Sequence, residues 1–245
     1  VEENHMYIRI ASNDFFAVSK DVVSKMIAGK LTAEQAYQAF NAQLLADEEP
    51  ADNETVLTSG KAYSNVFHAN GGSAAFSVMA NTLRGVYGTD VLLATANSFT
   101  GSVLQADYNQ KMAASMIMPN GLMSRQRTMT GAELKETVRA FVEGCEGGFV
   151  PFNRGSLPVV SGIAVEVKEA NGSYTLTGIT RNGQPLGDGD TVTVTCLATE
   201  KQMEALLASD SGTSAGEDAW VKNTWRDYVS GGAALAEPEN YMTLR

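Results

Sequence analysis

A chain of 245 residues with 44% apolar side chains is long enough to bury one large core or two small ones. Its 28 acidic and 18 basic residues leave a net charge of −10, which repels phosphate backbones and argues against a broad nucleic-acid interface. No run of about 18 apolar residues occurs, so no membrane-spanning helix is expected. The chain starts at Val1 with no signal-peptide pattern and reads as a mature or trimmed piece of something longer.

The N-terminal part has helical spacing. Asn13 or Asp14 can cap a helix whose apolar face runs Phe15, Val18, Val22 and Met26, and Gly29 is placed to end it. Thr32-Ala-Glu-Gln35 has the capping-box spacing, with Ala36, Phe40 and Leu44 on one side of the helix that follows. The short joint predicts a helical hairpin over 1–46. The string Ala-Asp-Glu-Glu-Pro-Ala-Asp-Asn-Glu at 46–54 is acidic and holds a proline, so 47–59 is read as a solvated linker. Residues 60–245 are then the main domain.

Within that domain Ser73 can cap a helix through Phe76, Met79 and Leu83, and the apolar run Asp-Val-Leu-Leu-Ala-Thr at 90–95 reads as a buried strand. Asp107 opens a polar stretch with helical spacing. Residues 123–129 alternate as a strand with a wet face, and Thr130 caps a helix with Leu134, Val138, Phe141 and Val142 inward. After a loop-rich stretch at 144–155, strands are predicted at 159–167, 174–180 and 191–197, with the tight-turn pair Asn182-Gly183 between the last two. Helical stretches at 202–208 and 217–229 follow, with Trp220 and Trp225 as packing anchors.

Four strings carry a family resemblance in their order and spacing. They are Thr-Gly-Ala-Glu-Leu-Lys at 130–135, Val-Val-Ser-Gly at 159–162, Asn-Gly-Gln-Pro-Leu at 182–186, and Asp-Thr-Val-Thr-Val-Thr at 190–195. Together with Ala-Asn-Thr-Leu at 80–83 and Asp90 before its strand, this resembles the C-terminal, substrate-binding domain of the 5'-nucleotidase family over roughly 55–202. The resemblance implies an α+β fold: a mixed β-sheet with packed helices, preceded here by the helical hairpin.

The resemblance also implies a nucleotide site, and most of its contact positions carry a different residue here. The family's glycine-rich loop and arginine fall on Thr-Ala-Asn-Ser-Phe-Thr at 95–100, so Thr100 stands where an arginine would fork onto an anion. A base-stacking phenylalanine falls on Asn120, or on Pro119 if the register slips. A second falls on Thr199, and Glu-Lys-Gln-Met at 200–203 replaces a Gly-Gly-Asp-Gly loop. Frame features are kept while gripping side chains are replaced. Asn97, Phe99, Thr100, Asn120 and Thr199 are the candidate cleft, with Phe149 and Phe152 as further rings that a ligand could use.

No catalytic residue is expected in this chain. The family's hydrolysis belongs to a separate metallophosphatase domain with Asp-x-His, Gly-Asn-His and His-x-His strings, and two-metal chemistry needs several such ligands. Only His5 and His68 occur here, and a lone histidine is most often a surface or core residue. Gly-Cys-Glu-Gly-Gly at 144–148 could place Cys145 as a nucleophile with His68 as base, but a turn is the simpler reading. Gly71-Gly72 before a helix could meet an anion, though a hinge or cap explains it. Cys145 and Cys196 fit either two buried thiols, the favoured reading, or a disulfide. Asn53-Glu-Thr55 and Asn171-Gly-Ser173 match the glycosylation sequon, which turn-forming asparagines also explain.

The expected function is a non-catalytic ligand-binding or interaction domain of an exported bacterial protein, without cofactor or metal. Its partner would be a nucleoside-like or other small molecule, at an extracellular or cell-surface location that the resemblance implies. The alternative is the substrate domain of an active metal-dependent 5'-nucleotidase or cyclic-nucleotide phosphohydrolase whose catalytic domain lies outside this chain. Gly-Lys-Leu-Thr-Ala-Glu-Gln-Ala at 29–36 is also similar to the tail of extracellular solute-binding proteins, which would make the domain a fused or appended one.

Overall fold

A computed structural model describes residues 5–10, 14–19, 24–25, 27–30, 32, 35, 54–118, 121–143, 157–171, 173–199, 203, 212–216 and 218–245. The chain divides into two compact units, Val1–Thr55 and Val56–Arg245.

In the first unit β1 (His5–Ile10) pairs antiparallel with β2 (Asp14–Ser19), Ile10 opposite Asp14. This corrects the first half of the expected helical hairpin. Asp14, Phe15 and Val18 lie in a strand, because a segment dense in aromatic and β-branched residues suits a pleated surface better than a helix. Helical bonding begins later, with Ala28 N–H donating to Ser24 O at 3.0 Å. Gly29 then takes the left-handed conformation (φ 68°) that ends a helix. Thr32 and Gln35 exchange both capping-box hydrogen bonds, at 2.9 and 3.2 Å. Ala36, Phe40 and Leu44 lie outside the described residues.

The second unit begins with β3 (Thr55–Ser59), a strand where the end of a linker was expected; Leu57 in it is buried. β4 (Phe67–His68) and β5 (Gly72–Ser73) form a short antiparallel ladder. Helix α1 (Ala74–Tyr87) follows, capped as expected by Ser73, whose hydroxyl accepts from Phe76 N–H at 3.4 Å. Then come β6 (Val91–Thr95), β7 (Ala106–Asn109) and α2 (Gln110–Ala114). So Asp107 lies in a strand that pairs with β3, and Asn109 caps the helix after it.

Next are β8 (Leu122–Thr130), α3 (Gly131–Glu143), β9 (Pro158–Ser161), β10 (Ala164–Ala170) and β11 (Ser173–Arg181). The chain ends with β12 (Gln184–Pro185), β13 (Thr191–Thr199), β14 (Thr213–Ser214), β15 (Ala219–Trp220), α4 (Val221–Ser230) and β16 (Met242–Leu244).

Six strands form the main sheet in the order β14-β8-β13-β6-β9, with β15 also on β8. β13 runs parallel to β6 and antiparallel to β8, so the sheet is mixed. A second sheet has the order β12-β11-β10-β16. The alternating run at 159–167, expected as one strand, is therefore two strands in two sheets. The break is Gly162, whose φ of 82° and whose Cβ position, 2.0 Å from Asp90 O, both demand glycine. Asn182 and Gly183 are both left-handed (φ 53° and 74°), the turn that joins β11 to β12.

The core lies between the main sheet and its helices. Leu83 of α1, Leu92 and Leu93 of β6, Val138 of α3, Val194 of β13 and Trp225 of α4 are all fully buried. Each such leucine contributes about 2 kcal/mol relative to an exposed one. The four inward residues expected on α3 (Leu134, Val138, Phe141, Val142) are all buried. Trp225 is the expected anchor, with its indole N–H donating to Ala113 O at 2.7 Å. Trp220 is not, being 50% exposed. The buried polar residues of α1 hold the C-terminal segment: Thr82 Oγ1 accepts from Ala236 N–H, Asn81 Nδ2 donates to Glu237 O, and Ser77 Oγ accepts from Glu239 N–H.

Candidate functional site

Two ends of the main sheet differ in chemistry. At the amino end of β6 and β13, polar groups are tied to one another. Asp90 accepts from Thr193 N–H (2.9 Å) and Thr193 Oγ1 (3.0 Å) and pairs with Arg181. Burial pushes the Asp90 carboxyl up, but the Thr193 hydrogen bonds and the positive charges of Arg181 and Arg84 together hold it below the usual carboxylate range. Thr130 and Glu133 close a full capping box. Glu133 N–H donates to Thr130 Oγ1, while the Glu133 carboxylate accepts from Thr130 N–H and Oγ1 and from Gly212 N–H. Hydrogen bonds from Thr130 and then Gly212 lower the Glu133 pKa. The first N–H groups of α3 donate to Asp190 O and Asp188 O. Gly131 sits so close to Gly187 O (1.9 Å from a built Cβ) that no side chain fits there.

The opposite, carboxyl end is where the parallel strands β6 and β13 finish. Cys196 of β13 stands opposite Leu93 of β6, so the two parallel strands finish side by side at Thr199 and Thr95. β6 runs on into a 3-10 turn, Ala96–Ser98. The segment after it pairs with the approach to β8: Met118 N–H donates to Ser98 O, Phe99 bridges Ile117, and Thr100 N–H donates to Met116 O. Leu122, the first residue of β8, stands opposite Thr199. Asn97 and Thr100 thus follow the end of β6, and Thr199 ends its parallel neighbour β13.

Asn97 is exposed there. Thr100 is half-buried, but its hydroxyl is covered and has no hydrogen-bond partner among the described residues. The fully buried Ser98 hydroxyl is in the same condition, and Met118 is 46% exposed beside it. Phe99 is turned inward, with its ring 6.2 Å from that of Phe76. Asn120, Pro119, Phe149 and Phe152 lie outside the described residues. Sequence reasoning took Ser98 only as a narrower stand-in for glycine. Its hydroxyl as a possible contact carried no signal, because burial without a partner is a tertiary property.

Arg125, the arginine of β8 nearest this edge by register, is held bidentately by Asp218, with Nη2 2.6 Å from Oδ2. Cys196 is a free, fully buried thiol that burial pushes up to about 12 against the pull of Arg127 and Arg125. Cys145 lies outside the described residues. Among the described residues no three His, Cys, Asp or Glu side chains cluster as metal ligands would.

The fold resembles part of several proteins of known structure, 5'-nucleotidases among them. The 5'-nucleotidase precursor from Thermus thermophilus superposes over 86% of this chain and 43% of its own, with a TM-score of 0.60 at 14% identity. The sulfate thiohydrolase SoxB from the same organism, solved with glycerol, matches over 94% of this chain and 41% of its own, at a TM-score of 0.60 and 14% identity. The NAD nucleotidase NadN of Haemophilus influenzae matches over 98% and 48%, at 0.56 and 14%. The likeness takes in more than residues 55–202, and the chain spans less than half the length of each of these proteins. At this identity it is a likeness of fold. No protein-family profile matches the chain, and no curated protein matches it in sequence.

Proposed function

We propose that the chain is a non-catalytic ligand-binding or interaction domain of nucleotidase fold, belonging to an exported, extracellular or cell-surface bacterial protein. The standard nucleotide contacts are lost in it. What supports this reading is the pair of neutral residues Thr100 and Thr199. They stand where the family resemblance puts an arginine and a stacking ring. Phe99, the aromatic residue nearest in sequence, is packed into the core. Stacking is worth about 1–3 kcal/mol per base, so losing its rings together with a cation removes most of a nucleotide's specific hold. What remains is small and neutral, suited to a ligand recognised by hydrogen bonds through Asn97, Thr100 and Thr199. Calorimetric titration with AMP, adenosine and cyclic nucleotides tests this. Binding weaker than millimolar is expected, and micromolar binding of any of them overturns the loss of recognition.

A second reading has this domain serving a metal-dependent nucleotide hydrolase as its substrate domain. It is favoured by the fold match to the Thermus 5'-nucleotidase precursor and the Haemophilus NAD nucleotidase, each more than twice as long as the matched part. The parent reading frame upstream of Val1 separates the two. Asp-x-His and Gly-Asn-His strings there support the hydrolase, and a solute-binding-protein sequence supports a fused surface protein.

A further inference from the structure

A groove of about 310 Å³ opens between α3 and β11, away from the carboxyl edge. That volume is at the lower end of the range of small-molecule sites, roughly 300–1,000 Å³. Its apolar lining is Leu176, Ile179, Pro185 and Leu186, and its charged lining is Lys135 and Arg139, one helical turn apart on α3. Ile179 and Leu186 are core residues, 6% and 4% exposed, so the apolar surface is continuous with the hydrophobic interior. The β10–β11 register shifts at this point. Glu166 faces Gly178 while Val167 faces Leu176, leaving Thr177 as the extra residue of a bulge. A bulge bends its strand and re-aims the side chains beside it. Gly178, next to it, is part of the groove lining.

We propose that this groove binds a small amphiphilic monoanion, an aryl or branched-alkyl carboxylate, with its apolar body on Leu176 and Ile179 and its carboxylate at Lys135 and Arg139. Both cations now pair with exposed carboxylates of their own chain. Lys135 Nζ is 2.6 Å from Asp188 Oδ1, and Arg139 pairs with Glu136 and, at 3.7 Å, with Glu143. Asp188 is 79% and Glu136 69% exposed. Exposed pairs of this kind contribute only about 0–1 kcal/mol, so a ligand carboxylate replaces one of them at little cost. The Arg139 guanidinium adds a planar fork suited to a carboxylate. Nucleotides are a poor fit, because no aromatic ring lines the groove among the described residues.

The test is a titration of the full chain with 4-phenylbutyrate and with its uncharged counterpart 4-phenylbutanol, followed by amide chemical shifts and calorimetry. Saturable shifts confined to α3 and β11, with the alcohol binding about tenfold more weakly, are expected. The Lys135→Gln/Arg139→Gln variant, changed at half-buried side chains that pair with exposed carboxylates, should keep its fold and bind the acid about tenfold more weakly. Absent or scattered shifts, equal binding of acid and alcohol, or undiminished binding by the variant would each overturn the proposal. Nucleotide titration at the carboxyl edge is read at other residues, so failure there and failure here are distinguishable.

Discussion

The two ends of the main sheet carry similar residue types and use them differently. At the amino end, Asp90, Thr193, Arg181, Thr130 and Glu133 each have a named partner, and the hydrogen bonds lock strand to strand and helix to sheet. At the carboxyl end, Ser98 and Thr100 hide hydroxyls with no partner among the described residues, and Asn97 stands exposed. A buried polar group left unpaired costs about 1–3 kcal/mol, which a fold tolerates where it serves something other than stability. The contrast teaches that threonine at one end is structural mortar and at the other end an unspent contact.

Substitutions can break that comparison, beginning with the largest effect. Gly162→Ala places a Cβ 2.0 Å from Asp90 O at a φ of 82° and should cost about 3 kcal/mol or more, read as a lower urea midpoint. A loss under about 1 kcal/mol would mean that the amino end is looser than described. Asp90→Asn should cost about 1–2 kcal/mol at neutral pH, allowing for solvent screening. The folded-state pKa of Asp90 is depressed, so its contribution is fully present above the unfolded value and is lost as pH falls through the folded value. Wild type should therefore lose stability below about pH 4 more steeply than Asp90→Asn. Parallel acid limbs would remove Asp90 from the account.

Thr130→Ala removes an N-cap and should cost about 1 kcal/mol, measurable by thermal unfolding. In the opposite direction, Ser98→Ala and Thr100→Val should not destabilise and should stabilise by up to about 1–3 kcal/mol, because each removes a buried hydroxyl with no partner among the described residues. A cost above about 2 kcal/mol would show that these hydroxyls are bonded after all.

Much of the fold was legible from local pattern. The buried run of β6, the caps at Ser73 and Thr130, the inward face of α3 and the Asn182-Gly183 turn follow from short-range rules of propensity, periodicity and hydrogen-bond reach. The misses share a cause. An alternating run through Gly162 reads as one strand until Asp90 O crowds it into a turn and sends β10 to another sheet. The helix expected from Asp14 has a helical period, yet β2 finds β1 as partner, and pairing overrides period. Trp220 and Trp225 have equal claims in the sequence, but only Trp225 meets Ala113 O from inside. At the site, the resemblance alone singles out Thr100 and Thr199, whereas the parallel pairing of β6 with β13, segments about a hundred residues apart, is contained in no window of sequence.

By itself the sequence determined the acidic surface, the scarcity of histidine, the caps and the neutral residues at the expected contact positions, since composition and local hydrogen bonding need no partner segment. The tertiary structure alone decided which polar groups are spent on the fold. It left the Ser98 and Thr100 hydroxyls without a partner among the described residues, turned Phe99 inward, engaged Arg125 with Asp218, and opened the groove beside Lys135 and Arg139. Burial and pairing arise only when distant segments close on one another.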